Sequence, residues 1–112
     1  MNIDNWKTQM RKGAAELTVL SVLNRQSLSG IGLLSYLKPF PDIGLSEGTL
    51  YPLLKRLERD GRLIGEWQLP ENGGRPTKTY TLSPDGDAAL KSMLTVWASF
   101  RDTLSDITGE TI

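Results

Sequence analysis

Leu90, Met93, Trp97, Phe100, Leu104 and Ile107 follow one another at steps of three, four, three, four and three residues. That spacing is the a/d seam of a coiled coil, whereas packing inside one domain usually gives a wider, less regular apolar stripe. A chain that carries it must supply a long helix and something apolar to lie along it. The cover is either the chain's own first helix or a second copy. The regularity of the steps favours a second copy, with Trp6, Met10 and Ala14 on the first helix as the matching surface. Trp97 and Phe100 are then either core filling, the commoner fate of helical aromatics, or the walls of a pocket.

The residues ahead of this seam divide into four further elements. From about Asn5 to Asn24, Trp6, Met10, Ala14 and Leu17 form one stripe. The second half, with Leu17, Val19, Leu20, Val22 and Leu23, is apolar nearly all round, so that half is expected to be buried. A polar turn from Ser27 to Gly32 leads into a short helix ending near Leu37, stopped by Pro39 and Pro41. Ser46 is a good N-cap for a third helix, which places Leu50, Leu53, Leu54 and Leu57 on one face. Tyr51, Pro52, Lys55, Arg56 and Arg59 fall on the other, and Gly61 ends it. Pro52 is tolerable if the regular turns begin near Thr49, because a proline in the first turn lacks no needed donor.

Two strands follow, Leu63 to Leu69 and Thr77 to Leu82, joined through Asn72-Gly73-Gly74. Gly73 and Gly74 supply the positive φ angles that a hairpin tip needs. Ser83-Pro84 then opens the last helix, with Asp85 and Asp87 favourably placed at its positive end, and the helix is expected to reach about Thr108.

The chain has no cysteine and no histidine. Thiolate chemistry, disulfides, ordinary zinc sites and the commonest general base are thereby removed. The carboxylates gather around no recognisable nucleophile or phosphate loop, so an enzyme is not expected, and neither is a metal or other cofactor. No apolar run approaches the roughly 20 residues of a membrane span, and the first residues do not read as a secretory signal, which together point to the cytoplasm. Formal net charge is zero, but it is unevenly spread. Residues 1–82 hold 11 Lys/Arg against 8 Asp/Glu, and residues 83–112 hold 2 against 5. The slight basic excess of the larger part is compatible with nucleic acid.

Helix, helix, helix, two-stranded hairpin, helix is the order of a winged helix-turn-helix. The expected fold is therefore mainly α with a small β-hairpin: a winged unit over 1–82 and a dimerisation helix over 83–112, forming one compact whole. In such a unit the third helix enters the major groove and the hairpin reaches along the backbone or into the minor groove. Gly48, Thr49, Tyr51, Lys55 and Arg56 would lie on the first element. Gly73, Gly74, Arg75 and Lys78 would lie on the second. Taken singly, a Lys-Arg pair or an arginine in a glycine turn is more often just solvated surface; their placement on both elements carries the argument.

Gly48-Thr49-Leu50-Tyr51-Pro52-Leu53-Leu54-Lys55-Arg56-Leu57-Glu58, followed by Asp60-Gly61, closely resembles the recognition helix of the PadR family of bacterial transcriptional regulators. Gly73-Gly74-Arg75-Pro76 with Tyr80-Thr81-Leu82 resembles its wing. The resemblance runs over most of the chain and implies a homodimeric repressor on a palindromic operator. It also agrees with Pro52 as part of the motif. Ser29-Gly30-Ile31 stands where the family commonly has His-Gly-Tyr, so a tyrosine contact there does not carry over. The single C-terminal helix resembles the small members that include multidrug-sensing repressors. Their tryptophan, matched here by Trp97, lines a hydrophobic pore at the dimer centre. That implies a flat hydrophobic effector held by Trp97, Met93 and Phe100. Two rivals remain: a winged-helix protein–protein module without DNA binding, and a sensor whose DNA affinity has decayed.

Overall fold

Asn2 sets the first helix. Its side chain accepts from the Asp4 amide at 3.0 Å, and α1 (Ile3–Arg25) therefore starts three residues before the apolar stripe does. Ala15, Val19, Leu20, Val22 and Leu23 are buried, whereas Trp6 and Met10 on the leading half are exposed. The all-round apolar half is thus the buried half. The computed structural model describes residues 1–112.

A two-residue strand that the sequence does not announce, β1 (Leu28–Ser29), comes next. Ser29 closes it and also caps α2 (Gly30–Leu37), accepting from the Gly32 amide at 3.0 Å. The loop through Pro39 and Pro41 is fastened to α1 by Arg11, whose Nε donates to the Asp42 carbonyl at 3.1 Å. α3 spans Glu47–Arg59. Ser46 occupies its N-cap position, but its hydroxyl donates to Thr49 Oγ1 at 3.4 Å and caps no backbone amide. The start differs from the sequence expectation. The Leu50 amide already bonds the Ser46 carbonyl at 2.8 Å, so Pro52 lies in the second turn, not the first. Its ring removes the amide that would serve the Gly48 carbonyl. Gly48 is exposed, and water can take that place.

The hairpin consists of β2 (Leu63–Gln68) and β3 (Thr77–Leu82), antiparallel, with Leu63 opposite Leu82 and Trp67 opposite Lys78. β1 adds to the far side of β3, Leu28 opposite Tyr80, giving the order β1-β3-β2. Where a bare hairpin is expected, the wing is rooted in a three-stranded sheet. α4 (Pro84–Thr108) is capped by Ser83, which accepts from the Gly86 amide at 2.9 Å and donates to the Gly61 carbonyl at 2.7 Å. Gly109, at φ 73°, ends it in the left-handed conformation.

Val19, Leu20, Leu33, Leu50, Leu54 and Leu57 are fully buried, so α1, α2 and α3 share one core. Leu63 and Tyr80 close it from the sheet and Leu90 from the base of α4. Burying each such leucine contributes about 1.5–3 kcal/mol. Beyond Met93, α4 leaves the core. A helix of 25 residues is about 37 Å long, yet only Gly86 and Leu90 of it are buried. The radius of gyration is 16.1 Å, against about 13 Å for a compact chain of this length. No helix is long and apolar enough to cross a membrane.

Candidate nucleic-acid interface

Residues of a helix turn by 100° each, so the four buried leucines of α3 dictate what faces away. Gly48, Tyr51, Pro52, Lys55 and Arg59 centre on the opposite side, and all five are exposed. The Lys55 side chain enters no ion pair. Arg59 meets only its neighbour Asp60, at 3.4 Å, and is 71% exposed. Arg59 lies on this face as the 100° spacing places it, and joins Lys55 as a second cation there. Thr49 and Arg56 stand at the edge towards α1. Arg56 is engaged there, 3.3 Å from Glu16 of α1 and 3.7 Å from Asp60. The Tyr51 ring lies directly against Gly30, where a Cβ would collide with it.

The tip between β2 and β3 carries Arg75, which is exposed and in no ion pair. Gly73 has φ +76° as expected of a tight tip, but Gly74 does not have positive φ. Its amide instead donates to Asn72 Oδ1 at 3.2 Å, so an asparagine side chain does part of the turning. Lys78 departs furthest from expectation. Its Nζ donates to Glu58 Oε1 at 2.7 Å and lies 5.7 Å and 5.6 Å from the Trp67 and Tyr80 ring centres. The hydrogen bond it donates to Glu58 holds the ammonium above its ordinary pKa, against a smaller opposing effect of burial. Burial pushes the Tyr80 phenol up as well. Lys78 is therefore engaged within its own subunit. Between α3 and the wing runs an open cleft of about 550 Å³, lined among others by Gly30, Ile31, Tyr51, Lys55, Trp67 and Arg75. Trp67 and Glu58 escaped the sequence reading because their partners lie on other elements.

On the other side of the subunit, α1 and α4 leave an apolar hollow of about 390 Å³ bounded by Met10, Gly13, Ala14, Leu17, Trp97 and Phe100. Met93 and Val96 line its continuation. The Trp97 and Phe100 rings stack at 6.1 Å. Gly13 has nothing within 4 Å of where a Cβ would stand, so the missing side chain leaves room there. Trp6, Met10, Trp97, Phe100 and Ile107 are exposed, and Ala14, Met93 and Leu104 are half-buried. Leu90, the first member of the expected seam, is 3% exposed and belongs to the core of its own subunit, out of reach of another copy. The apolar face available to a partner therefore begins at Met93.

A family model described as the transcriptional regulator PadR-like family matches residues 19–92, from the buried half of α1 to the base of α4. A PadR-like transcription factor from Bacteroides fragilis is 34% identical in sequence, with 92% of this chain and 98% of that one covered and a TM-score of 0.76. A PadR family transcriptional regulator from Eggerthella lenta is 28% identical, with 95% and 91% covered and a TM-score of 0.85. A curated transcriptional regulator of Mycobacterium tuberculosis is 48% identical over 46 residues, a stretch that spans 41% of this chain and 41% of that protein.

Proposed function

Because the chain belongs to the PadR-like family of transcriptional regulators, we propose that it is a homodimeric repressor that acts in the cytoplasm on a palindromic operator and is released by a flat hydrophobic effector. The observation that carries DNA binding is the outward face of α3. Tyr51, Lys55 and Arg59 stand on it with no apolar residue of the core among them, beside the exposed Arg75 of the wing. With α3 in the major groove, Lys55 and Arg59 reach phosphates or base edges, and Arg75 suits the narrow minor groove. Gly48 and Gly73 let the backbone approach closely, while Thr49, Arg56 and Gly74 sit at the margins of the contact.

The dimer follows from the half of α4 beyond Leu90, whose exposed Trp97, Phe100 and Ile107 continue the exposed Trp6 and Met10 of α1. A second copy laid on this face would turn the hollow at Trp97 and Phe100 into an enclosed slot with two sets of aromatic walls. A planar apolar compound stacks there. Because α4 continues directly from the wing through Ser83, a ligand that alters helix spacing also alters the separation of the two recognition helices. The operator fixes that separation at about 34 Å.

Mapping the DNA that the protein protects upstream of its own reading frame tests the first part. Affinity should fall steeply with salt, since phosphate contacts release counterions. Hydrophobic dyes test the second, with Trp97→Ala expected to remove most of their affinity while leaving the dimer intact. The zero net charge favours one rival, a winged-helix module that binds protein only. Absence of salt-dependent duplex binding would select it.

A further inference from the structure

Glu58 sits on the flank of α3 that faces the sheet, and Lys78 sits one residue inside the end of the β2–β3 ladder. The 2.7 Å contact between them is a side-chain ion pair joining α3 to the wing, and both partners are largely covered, at 31% and 26% exposure. Two further features are shaped to it. Gly65 on β2 leaves the slot in which the pair closes: a Cβ there would lie 2.5 Å from Lys78 Cε and 2.7 Å from Glu58 Oε2. Trp67 and Tyr80 flank the ammonium on the same face of the sheet. Beyond the ladder, the tip is held only by its own turn, with Gly73 N–H on the Pro70 carbonyl and Gly74 N–H on Asn72. Arg75 therefore rides on a segment whose direction is set at its root.

We infer that Glu58 and Lys78 are a positioning pair: they fix the angle of the wing to α3 and so aim Arg75, and Lys78 itself is not a DNA ligand. The inference rests on the DNA-binding reading above. A lysine neutralised by a carboxylate at hydrogen-bond distance adds nothing to the charge that displaces counterions from a phosphate backbone. It does add directionality, because a charge-assisted hydrogen bond between two half-buried groups is both short and oriented. Removing either partner should thus have the same consequence, although their charges are opposite.

The opposite charges make the test sharp. Glu58→Ala, Lys78→Met and the double variant of the full chain are titrated with the duplex that the wild-type protein enriches from a random-sequence pool, over a range of salt. Each single variant should bind about tenfold more weakly, and the double variant no more weakly than either. The slope of log affinity against log salt should move alike in both single variants, and by no more than it moves in Arg75→Ala. Arg75→Ala should cost less affinity in the Lys78→Met background than in the wild type, since a wing already misaimed has less to lose. If Lys78 is instead a phosphate ligand held in check by Glu58, Glu58→Ala binds more tightly and Lys78→Met lowers the salt slope by about 0.9, and the inference is overturned. Single variants that bind as the wild type overturn it too. Should the wild type bind no duplex, the DNA-binding reading fails by itself. The pair is then judged by hydrogen exchange of the amides of β2 and β3. Faster exchange in both single variants supports the anchor, and unchanged exchange removes it.

Discussion

α3 and α4 are both amphipathic helices, but they complete their apolar faces in different places. α3 has 13 residues, and its four leucines are all buried within the subunit. α4 has 25 residues, of which Gly86 and Leu90 alone are buried, while Val96, Trp97, Phe100 and Ile107 stay exposed. The period of an apolar stripe shows that a helix face needs covering; it does not say by what. For α3 the cover is α1, α2 and the sheet. For α4 beyond Leu90 the subunit supplies only part of it, from α1, leaving Val96, Trp97, Phe100 and Ile107 exposed, which is the physical reason for proposing a second copy there. The same difference separates the two faces: α3 is anchored on its apolar side and turns its polar side outward, whereas α4 turns part of its apolar side outward.

Substitutions in the two faces give the largest effects and can break this contrast. Leu54→Ala leaves a cavity in a closed core and should lower unfolding free energy by about 2–5 kcal/mol, equally at all protein concentrations. Leu104→Asp places a charge on the half-buried stripe and should leave the subunit folded while abolishing self-association. Wild-type melting should rise with protein concentration, because an associating native state is favoured by mass action. That rise should vanish in Leu104→Asp. Unfolding by denaturant and heat at two concentrations distinguishes them. The contrast fails if wild-type melting ignores concentration, or if Leu104→Asp unfolds the subunit as Leu54→Ala does.

The contrast also marks what the sequence could disclose. The leucines of α3, the second wing strand, the start of the first and the Ser83 cap depend on residues near in sequence, and periodicity or capping exposes them. β1 is two residues long, too short for any alternation, and exists because β3 offers it an edge. The start of α3 was misjudged because the preference of proline for a first turn is local, whereas exposure of Gly48, which makes a second-turn proline tolerable, is not. Leu90 fits the seam by spacing but is captured by the core, since α4 must dock before it can project. The engagement of Lys78 is illegible in the sequence for the same kind of reason. Its partner is 20 residues away on another element, and no local pattern reveals a cross-element ion pair.

Next in size are effects on DNA affinity from cations that α3 and the wing leave unpaired. Lys55→Ala and Arg75→Ala should each weaken duplex binding by about 1–3 kcal/mol if the lost contact is to a base, with specificity relaxed at that position. A contact to phosphate would weaken all sequences alike and lower the salt slope by about 1. Thermal stability should change by no more than about 0.5 kcal/mol, as for other surface substitutions. Unchanged affinity in both variants would leave the polar side of α3 without the role that distinguishes it from α4.

A smaller effect lies on the alkaline side and belongs to the α3 region alone. Lys78 and Tyr80 both hold their protons more tightly in the folded chain, the first through its bond to Glu58 and the second through burial. The unfolded chain therefore loses these protons first, and the stability they contribute is present below the ordinary values of about 10. It is lost as pH climbs through the raised values. Melting temperature should accordingly be insensitive to these groups from neutrality to about pH 9 and then fall more steeply in the wild type than in Lys78→Met or Tyr80→Phe. Identical alkaline profiles in all three proteins would show that neither group is linked to folding.

Arg56 gives the smallest expected effect and sharpens the comparison most, because it stands where the anchored side of α3 meets its free side. Its side chain is 44% exposed and shared between Glu16 and Asp60. Exposed ion pairs are screened and contribute about 0–1 kcal/mol, so Arg56→Ala should destabilise by less than about 1 kcal/mol. What it does to DNA binding depends on whether the guanidinium leaves its carboxylates. If Arg56 turns to a phosphate in the complex, it must first give up Glu16, and that competition weakens the bound state. Glu16→Gln would then raise duplex affinity by a few-fold, and Arg56→Ala would cancel the gain. If Arg56 instead remains a strut between α1 and α3, Glu16→Gln leaves affinity unchanged. The position of Arg56 at the edge of the outward face, engaged by two acids, favours the strut. A double-mutant cycle on Glu16 and Arg56, read once by denaturation and once by DNA titration, should show coupling in the first measurement and none in the second.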